Sequence, residues 1–526
     1  MPSALDELNE FNMELLGRNR FCMGKRRGRR YVCHGDANEG AKSKAVSLLI
    51  EAVRRMRRWR VWDVWWIEGI MDEWLEKRDR LEVQLRGRYS EEVINDLLGL
   101  VDKFINYSER FWNYWQTIGG EAKKLVDDLL SGRAEVIIWE GEKGISVHEE
   151  HVTLEAHRAS KGSITVQLKL NDLGGVDIEV LNVFRKTMSK REYRRFVKRV
   201  LKALRGGFAE TDEGKHEGRP VMGTTQIWQV VVWSLLYPGE VHMRINAINV
   251  NEGDVTILWH LRSNRHRSLK GKILSNINKL SKEELLAFTF TAVLGDGSAD
   301  VEKLKINGRA YDKAMIGITM SGGKLKKWEP LFERLKSMGF KSSKPDSSNG
   351  NAINVRFYDN NAIDLARAMI SILPPILRDT LDALKIDKWE RIKRIAKMEM
   401  KFRRGEMQIN VASYRFSITV QKSEVILVHR AKNNAEVGEV IEALRAVYGD
   451  GFYAYVNKSG KYLIVTIPMY VFERYDDIKG QVIEVLRRKL EKTKDEKKKQ
   501  TIIKHLKRLT TPTKEGSRGG LSWGLL

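Results

Sequence analysis

One stretch of the sequence combines residue types that suit metal-dependent chemistry. Residues 285–300, LLAFTFTAVLGDGSAD, form an apolar run that ends in an acid between two glycines. Gly295 and Gly297 allow the backbone to leave a helix sharply, so Asp296 is predicted at a helix end. Hard carboxylate oxygens suit Mg²⁺, which with a second acid can promote phosphodiester cleavage. We therefore predict Asp296 as a catalytic residue and Asp296 with Gly297 as the metal site.

The residues before Asp296 predict the helix that positions it. Ser281 and Glu284 have the spacing of a capping box, which starts a helix. The helix is apolar on all sides, which indicates burial. Ala287, Thr291 and Gly295 recur every four residues and share one face, where small side chains let a second helix approach closely. We expect that second helix to bring a second carboxylate.

The partner acid is harder to place from sequence. The corresponding helix is expected within residues 377–407, where Glu399 and Glu406 are the candidates, although no glycine turn marks either one. The alternative is an acid from a second copy of the chain. Asp450 also lies between two glycines, but its position after a middle helix favours a helix stop and hairpin turn.

The order of predicted elements indicates a multidomain α+β protein with an internal repeat. After the helix that ends at Asp296, a ββαββα pattern follows, and the same pattern returns later with similar spacing. The predicted domains are a helical, basic, Trp-rich region (1–133), a mixed α+β domain (134–278), a first αββαββα half (279–375), a degenerate second half (376–492), and a basic, partly disordered tail (493–526).

The charge of the chain favours a polyanionic partner. Its 526 residues carry 93 Lys and Arg against 69 Asp and Glu, a formal net charge of +24. Such an excess is typical of proteins that bind nucleic acid. Apolar stretches fall short of the ~20 residues needed to span a bilayer, so we expect no membrane and a cytoplasmic location. Abundant Lys, Arg and Glu with scarce Cys and Gln are typical of hyperthermophiles.

Two N-terminal features have competing interpretations. Cys22 and Cys33 form either a disulfide or, with His34, a poor zinc site. Trp59, Trp62 and Trp66 form a Trp stripe at helical spacing, beside a run of arginines. The stripe is interpreted first as core packing, and alternatively as an Arg and Trp surface that clamps phosphates and stacks bases.

The motif and the topology together resemble the LAGLIDADG homing-endonuclease fold over about residues 280–490. The resemblance rests on FTFTAVLGDGS followed by ββαββα. It implies two halves whose motif helices pack together, four-stranded sheets that form a DNA-binding saddle, and Asp296 as a metal ligand. The chain departs from the family pattern at Thr291, where Ala or Gly is usual. The GDGS region also resembles PaRep-type repeat-element proteins of hyperthermophilic archaea, which implies a mobile or repeated genetic element.

Three functions follow from these patterns. The first is a protein that binds double-stranded DNA, as a monomeric pseudo-dimer or a homodimer, with cleavage reduced or lost. The second is an active site-specific endonuclease that uses Mg²⁺, and the third is a non-catalytic protein-interaction product of a repeat family. Basic and amide residues on the predicted strands and turns are the DNA-binding candidates: Lys303, Lys305, Asn307, Arg309, Lys313, Lys341, Lys344, Arg356, Arg415, Lys422, Lys458 and Lys461.

Overall fold

The computed structural model describes residues 13–28, 30–159, 162–306, 309–347, 352–399, 407–459, 462–493 and 495–511. The chain has mixed α+β structure and divides into two compact units, Met1–Ala396 and Lys397–Leu526. The sequence predicted more numerous boundaries, at 133/134, 278/279, 375/376 and 492/493. None of the described helices has the length and apolar composition that crossing a bilayer requires.

The N-terminal region, expected to be helical, contains a β-hairpin directly after the helical residues 13–17. Strands β1 (Arg20–Arg27) and β2 (Arg30–Asp36) pair antiparallel, and a disulfide joins Cys22 to Cys33 across them. Lys25, Arg26, Arg27 and Arg30 lie in this hairpin, where Gly28 at φ +62° allows the chain to turn back. The disulfide confirms one of the two interpretations of this cysteine pair.

Three long helices follow the hairpin, α1 (Glu39–Trp59), α2 (Trp65–Leu85) and α3 (Glu91–Leu130). The Trp stripe does not lie on one helix, because Arg60 takes a left-handed conformation and ends α1. Trp66 is buried and packs edge-on against Trp115 of α3. Core packing therefore describes Trp66.

The rest of the first unit alternates strands and short helices. It contains β3 (Glu135–Trp139), β4 (Gly144–His148), β5 (Val152–Arg158), β6 (Ile164–Leu170), β7 (Val176–Val180), α4 (Val183–Lys186), α5 (Lys190–Phe196), a π-helical turn (Val197–Leu201), α6 (Lys202–Glu210), β8 (Glu213–His216), β9 (Arg219–Thr224), α7 (Ile227–Leu236), β10 (Gly239–Val250), β11 (Val255–Ser263), α8 (Lys282–Leu294), β12 (Gly297–Ile306), β13 (Arg309–Ser321), α9 (Leu325–Ser337), β14 (Asp346–Ser347), β15 (Ala352–Tyr358), α10 (Asn360–Ser371), α11 (Pro375–Ala383) and α12 (Asp387–Lys397).

The second unit is built around one sheet. Its elements are β16 (Gln408–Val411), β17 (Tyr414–Val420), β18 (Val425–Ala431), α13 (Asn434–Tyr448), β19 (Tyr455–Ser459), β20 (Tyr462–Ile467), α14 (Met469–Phe472), α15 (Asp476–Lys492) and α16 (Glu496–Thr510). Phe416, Leu444 and Phe472 belong to its buried core. Residues 512–526 of the predicted tail lie outside the described residues.

The repeated unit is a helix followed by ββαββ. In the sheet, the strands of the unit that follows α8 lie in the order β12-β13-β15-β14. The strands that follow α6 lie in the same relative order, β8-β9-β11-β10, and those of the second unit do so again, β17-β18-β20-β19. The sequence predicted the second and third copies. It missed the copy at residues 213–263 and counted it within the mixed α+β domain.

Candidate active site

Helices α6 and α8, which begin two of these copies, pack together at very short range. A Cβ atom on Gly207 would overlap Oγ1 of Thr291 and lie 2.8 Å from the backbone nitrogen of Ala292. The hydroxyl of Thr291 donates a hydrogen bond of 2.7 Å to the carbonyl oxygen of Leu204. Only glycine at position 207 permits this approach. The small-residue face of α8 is therefore used as expected, although Ala287 is simply buried.

The same helix pair brings Asp212 beside the residue that precedes Asp296. A Cβ atom on Gly295 would overlap Oδ2 of Asp212 and lie 3.0 Å from Cβ of Thr211. Burial, followed by the charge of Asp296, raises the pKa of Asp212 from 3.8 to about 6. Two carboxylates thus meet at one end of the α6–α8 pair.

The two acids occupy equivalent positions in their copies. The same number of residues separates Gly207 from Thr291, Thr211 from Gly295, and Asp212 from Asp296. Each acid directly precedes the first strand of its copy, β8 or β12. Contacts between equivalent residues are the mark of a two-fold arrangement. Within one chain, this arrangement assembles both halves of the acid pair.

Lys388 of α12 supplies a cation at the acid pair. Its Nζ donates hydrogen bonds to the carbonyl oxygens of Gly295 and, at 2.9 Å, Leu294. Burial lowers the pKa of Lys388, while the charges of Asp212 and Asp296 act in the opposite direction. The ammonium therefore interacts with both carboxylates and caps the carbonyl end of α8, where a positive charge is favourable.

Side chains of the first copy orient Asp212. Nε2 of Gln229 donates to Oδ2 of Asp212 at 2.9 Å, and the hydroxyl of Thr224 donates to Oε1 of Gln229 at 2.5 Å. Asp212 is half-buried, whereas Asp296 is exposed. Asp212 is therefore the oriented acid of the pair, and Asp296 is the accessible one.

The residues that follow the two acids differ. Glu213 is buried, and its Oε1 accepts hydrogen bonds from Trp233 at 2.8 Å and from Tyr237 at 2.7 Å. Burial raises the pKa of Glu213 to about 7. Gly297, predicted as part of the metal site, is a buried residue at the start of β12, where a Cβ would lie 2.7 Å from the carbonyl oxygen of Gly317. A glycine is therefore needed there for packing.

The acid beside Asp296 is thus one that sequence reasoning did not single out. Glu399 interacts within the second unit, where it accepts a hydrogen bond from the backbone of Asp495 at 3.3 Å and lies 3.8 Å from Lys498. Glu406 lies outside the described residues. The signal available for Asp212 was RGGFAETDEGKH, in which a glycine pair lies five and six residues before the acid.

The DNA-binding candidates of the second copy fall into several environments. Lys313 and Arg356 lie on the open face of the sheet, and Lys303 is exposed on β12. Lys313 lies 3.5 Å from Glu302 and over the ring of Tyr358, and Arg356 lies 3.2 Å from Asp346. These two cations are therefore partly neutralised by acids on the same face.

The remaining candidates are placed as follows. Lys341 and Lys344 are exposed between α9 and β14, and Lys305 and Arg309 lie at strand ends. In the second unit, Arg415 and Lys458 are exposed on β17 and β19, and Lys422 is exposed between β17 and β18. Asn307 and Lys461 lie outside the described residues.

Comparisons with known proteins assign no family to this chain. No protein-family model matches the chain, and a search of curated proteins finds no match. Among solved structures, one match is the I-SmaMI LAGLIDADG homing endonuclease bound to cleaved DNA. The alignment covers 40% of this chain and 83% of the endonuclease chain, with 13% identity and a TM-score of 0.13. For the same enzyme bound to an uncleaved target with calcium ions, the alignment covers 44% of this chain and 97% of the endonuclease chain, with 13% identity and a TM-score of 0.13. Overlaps with TM-scores this low do not establish a shared fold and assign no activity to this chain.

Proposed function

We propose that the chain is a DNA-binding protein of the LAGLIDADG type that cleaves DNA with the help of a divalent cation held by Asp212 and Asp296. The observation that carries this proposal is the convergence of the two acids at the end of the α6–α8 pair. A protein that binds DNA without cleaving it would not need two equivalent acids side by side at the end of the α6–α8 pair. Both acids come from one chain, so a monomeric pseudo-dimer is sufficient.

The donor set fits a hard cation such as Mg²⁺. Two carboxylates provide oxygen ligands, and substrate phosphate and water would complete the coordination, as is common for this ion. Gly295 lets Oδ2 of Asp212 lie directly against its backbone, where a side chain would collide with the carboxylate. When bound, the cation would activate water and stabilise the charge on the leaving oxygen.

The protein's own residues have distinct roles in this proposal. Gln229 holds Asp212 in place, and Asp296 presents its carboxylate to the solvent side. Lys388 offsets the repulsion between the acids before substrate binds. The sheets that follow α6 and α8 are the proposed DNA-binding surface, and the net charge of +24 would favour association with duplex DNA. Resemblance at the GDGS region supports a mobile or repeated element of PaRep type as the origin.

Nicking of plasmid and genomic DNA in the presence of Mg²⁺ tests the proposal. We expect the wild-type chain to nick, and Asp296→Ala and Asp212→Asn each to lose nicking while DNA affinity is retained. Asp300→Asn is the matched control, since Asp300 is a nearby strand acid whose charged neighbour is Arg391 at 3.8 Å. If the wild-type chain binds DNA but does not nick it, the chain is a DNA-binding protein whose cleavage is lost. If it does not bind DNA, the proposal is refuted.

A further inference from the structure

The sheet of the first copy is much wider than the sheet of the second copy. Beyond β10 it continues through β6, β5, β4, β3, β1 and β2, whereas the second copy's described sheet ends at β14. The junction is made by three paired positions of β10 and β6, from Ala247 opposite Lys169 to Asn249 opposite Gln167. The open face of the first copy therefore continues without a break onto the N-terminal strands.

The two faces of this wide sheet differ in character. Trp259 of β11 points to the face covered by helices, where it packs against Trp74 of α2 and Phe104 of α3. The alternate positions of β10 and β6 are half-exposed and polar: Arg244, Asn246 and Asn249 on β10, and Gln167 and Lys169 on β6. The uncovered face thus carries cationic and amide side chains, which are the groups that contact nucleic acid.

A cavity of about 500 Å³ lies on this uncovered face, at the hairpin of β1 and β2. Its charged lining consists of one acid, Glu155, and four cations, Arg26, Arg30, Lys169 and Arg244. Glu155 lies 3.8 Å from Lys169 and balances its charge. The three arginines therefore give the cavity lining a net positive charge. The rings of Tyr31 and Trp139, which also line the cavity, stack with centroids 4.9 Å apart.

We propose that this N-terminal extension of the first sheet is a second DNA-contact surface, which lengthens the bound DNA on the first copy's side only. The inference rests on the proposed function. The second copy's described sheet carries no such extension, since it ends at β14. Charge complementarity selects the occupant, because the extension presents cations to a polyanion.

The width of the extension gives the length of additional DNA that it would contact. Five strand spacings separate β10 from β1. At about 4.8 Å each they span about 24 Å, which is the length of about 7 base pairs. The contact would therefore extend over more than half a turn of duplex.

The test measures binding of random-sequence duplex DNA of about 30 base pairs across a salt series. The variant is Arg26→Gln/Arg30→Gln/Lys169→Gln in the full chain. Its matched control is Arg110→Gln/Lys123→Gln/Lys124→Gln, which removes three exposed cations from α3. This helix contacts the covered side of the same sheet.

We expect the triple variant to lose at least about tenfold in affinity, and its salt slope to fall by about 2 to 3, since each lost phosphate contact contributes about 0.9. The control is expected to bind as the wild type does, and the triple variant to keep its Mg²⁺-dependent nicking at saturating protein. Unchanged binding by the triple variant, or an equal loss in the control, would overturn the inference and leave the proposed function standing. Binding of polyglutamate in preference to duplex DNA would overturn it in favour of an acidic protein partner. A wild-type chain that binds no duplex would refute the proposed function itself.

Discussion

The hydroxyl of Thr291 reaches across the helix pair to the carbonyl oxygen of Leu204, a hydrogen bond of 2.7 Å between two helices of different copies. The partner helix can approach this closely because residue 207 has no side chain. The hydrogen bond satisfies the buried hydroxyl of Thr291, which would otherwise be costly to bury. Thr291, a departure from the usual Ala or Gly, is thus accommodated by a glycine on the other helix.

Gly207→Ala should destabilise the first unit by about 1–3 kcal/mol, because the new Cβ would overlap Thr291 and the backbone of α8. Thermal unfolding measures the effect. Gly69→Ala is the control, since a Cβ at this exposed position of α2 meets nothing within 4 Å. That variant should gain about 0.5–1 kcal/mol from helix propensity. Equal stabilities of the two variants would contradict the close packing of α6 and α8.

Asp212→Asn should stabilise the chain at pH 8 but leave its stability unchanged near pH 4. The pKa of Asp212 is raised to about 6 in the folded chain, above the 3.8 of an ordinary aspartate. Ionising Asp212 therefore costs stability, which falls as the pH rises from about 4 through 6. The gain is at most about 3 kcal/mol. Urea unfolding at both pH values measures it, and a gain of the same size at pH 4 would argue against ionisation as its cause.

Lys388→Met should lower the melting temperature at pH 8 more than at pH 5, because it leaves the two carboxylates without their cation. Protonation of Asp212 relieves the repulsion at the lower pH. Arg394→Met, at an exposed position of the same helix, should show no such pH dependence. A pH-independent loss in Lys388→Met would indicate that only its hydrogen bonds to the end of α8 matter.

Mg²⁺ should raise the melting temperature more at pH 8 than at pH 5. Binding requires both carboxylates to be ionised, and the raised pKa of Asp212 makes the cation compete with a proton. Calorimetry in two buffers of different ionisation enthalpy should detect the released proton near pH 6. Asp212→Asn should abolish both effects, and their persistence in that variant would place the cation elsewhere.

Much of the second and third copies could be read from the sequence because their signals are local. Ser281 and Glu284 form the predicted capping box, and the alternation of β13 and β15 marked strands with one buried face. The hairpin of β1 and β2 was missed because its basic residues lack a hydrophobic pattern, so only the pairing of the strands reveals it.

The position of Asp296 at the end of a buried helix follows from local sequence, since the glycines on either side act within a few residues. Its pairing with Asp212 depends on the folded chain. Thr211-Asp212-Glu213 carries no glycine, and its helix joins a π-helical turn with a charged start, so its local pattern differs from the one around Asp296. The equivalence arises from long-range packing, in which Gly207 meets Thr291 and Gly295 meets Asp212. Such contacts depend on how two copies of a fold associate, and periodicity within either copy does not specify them.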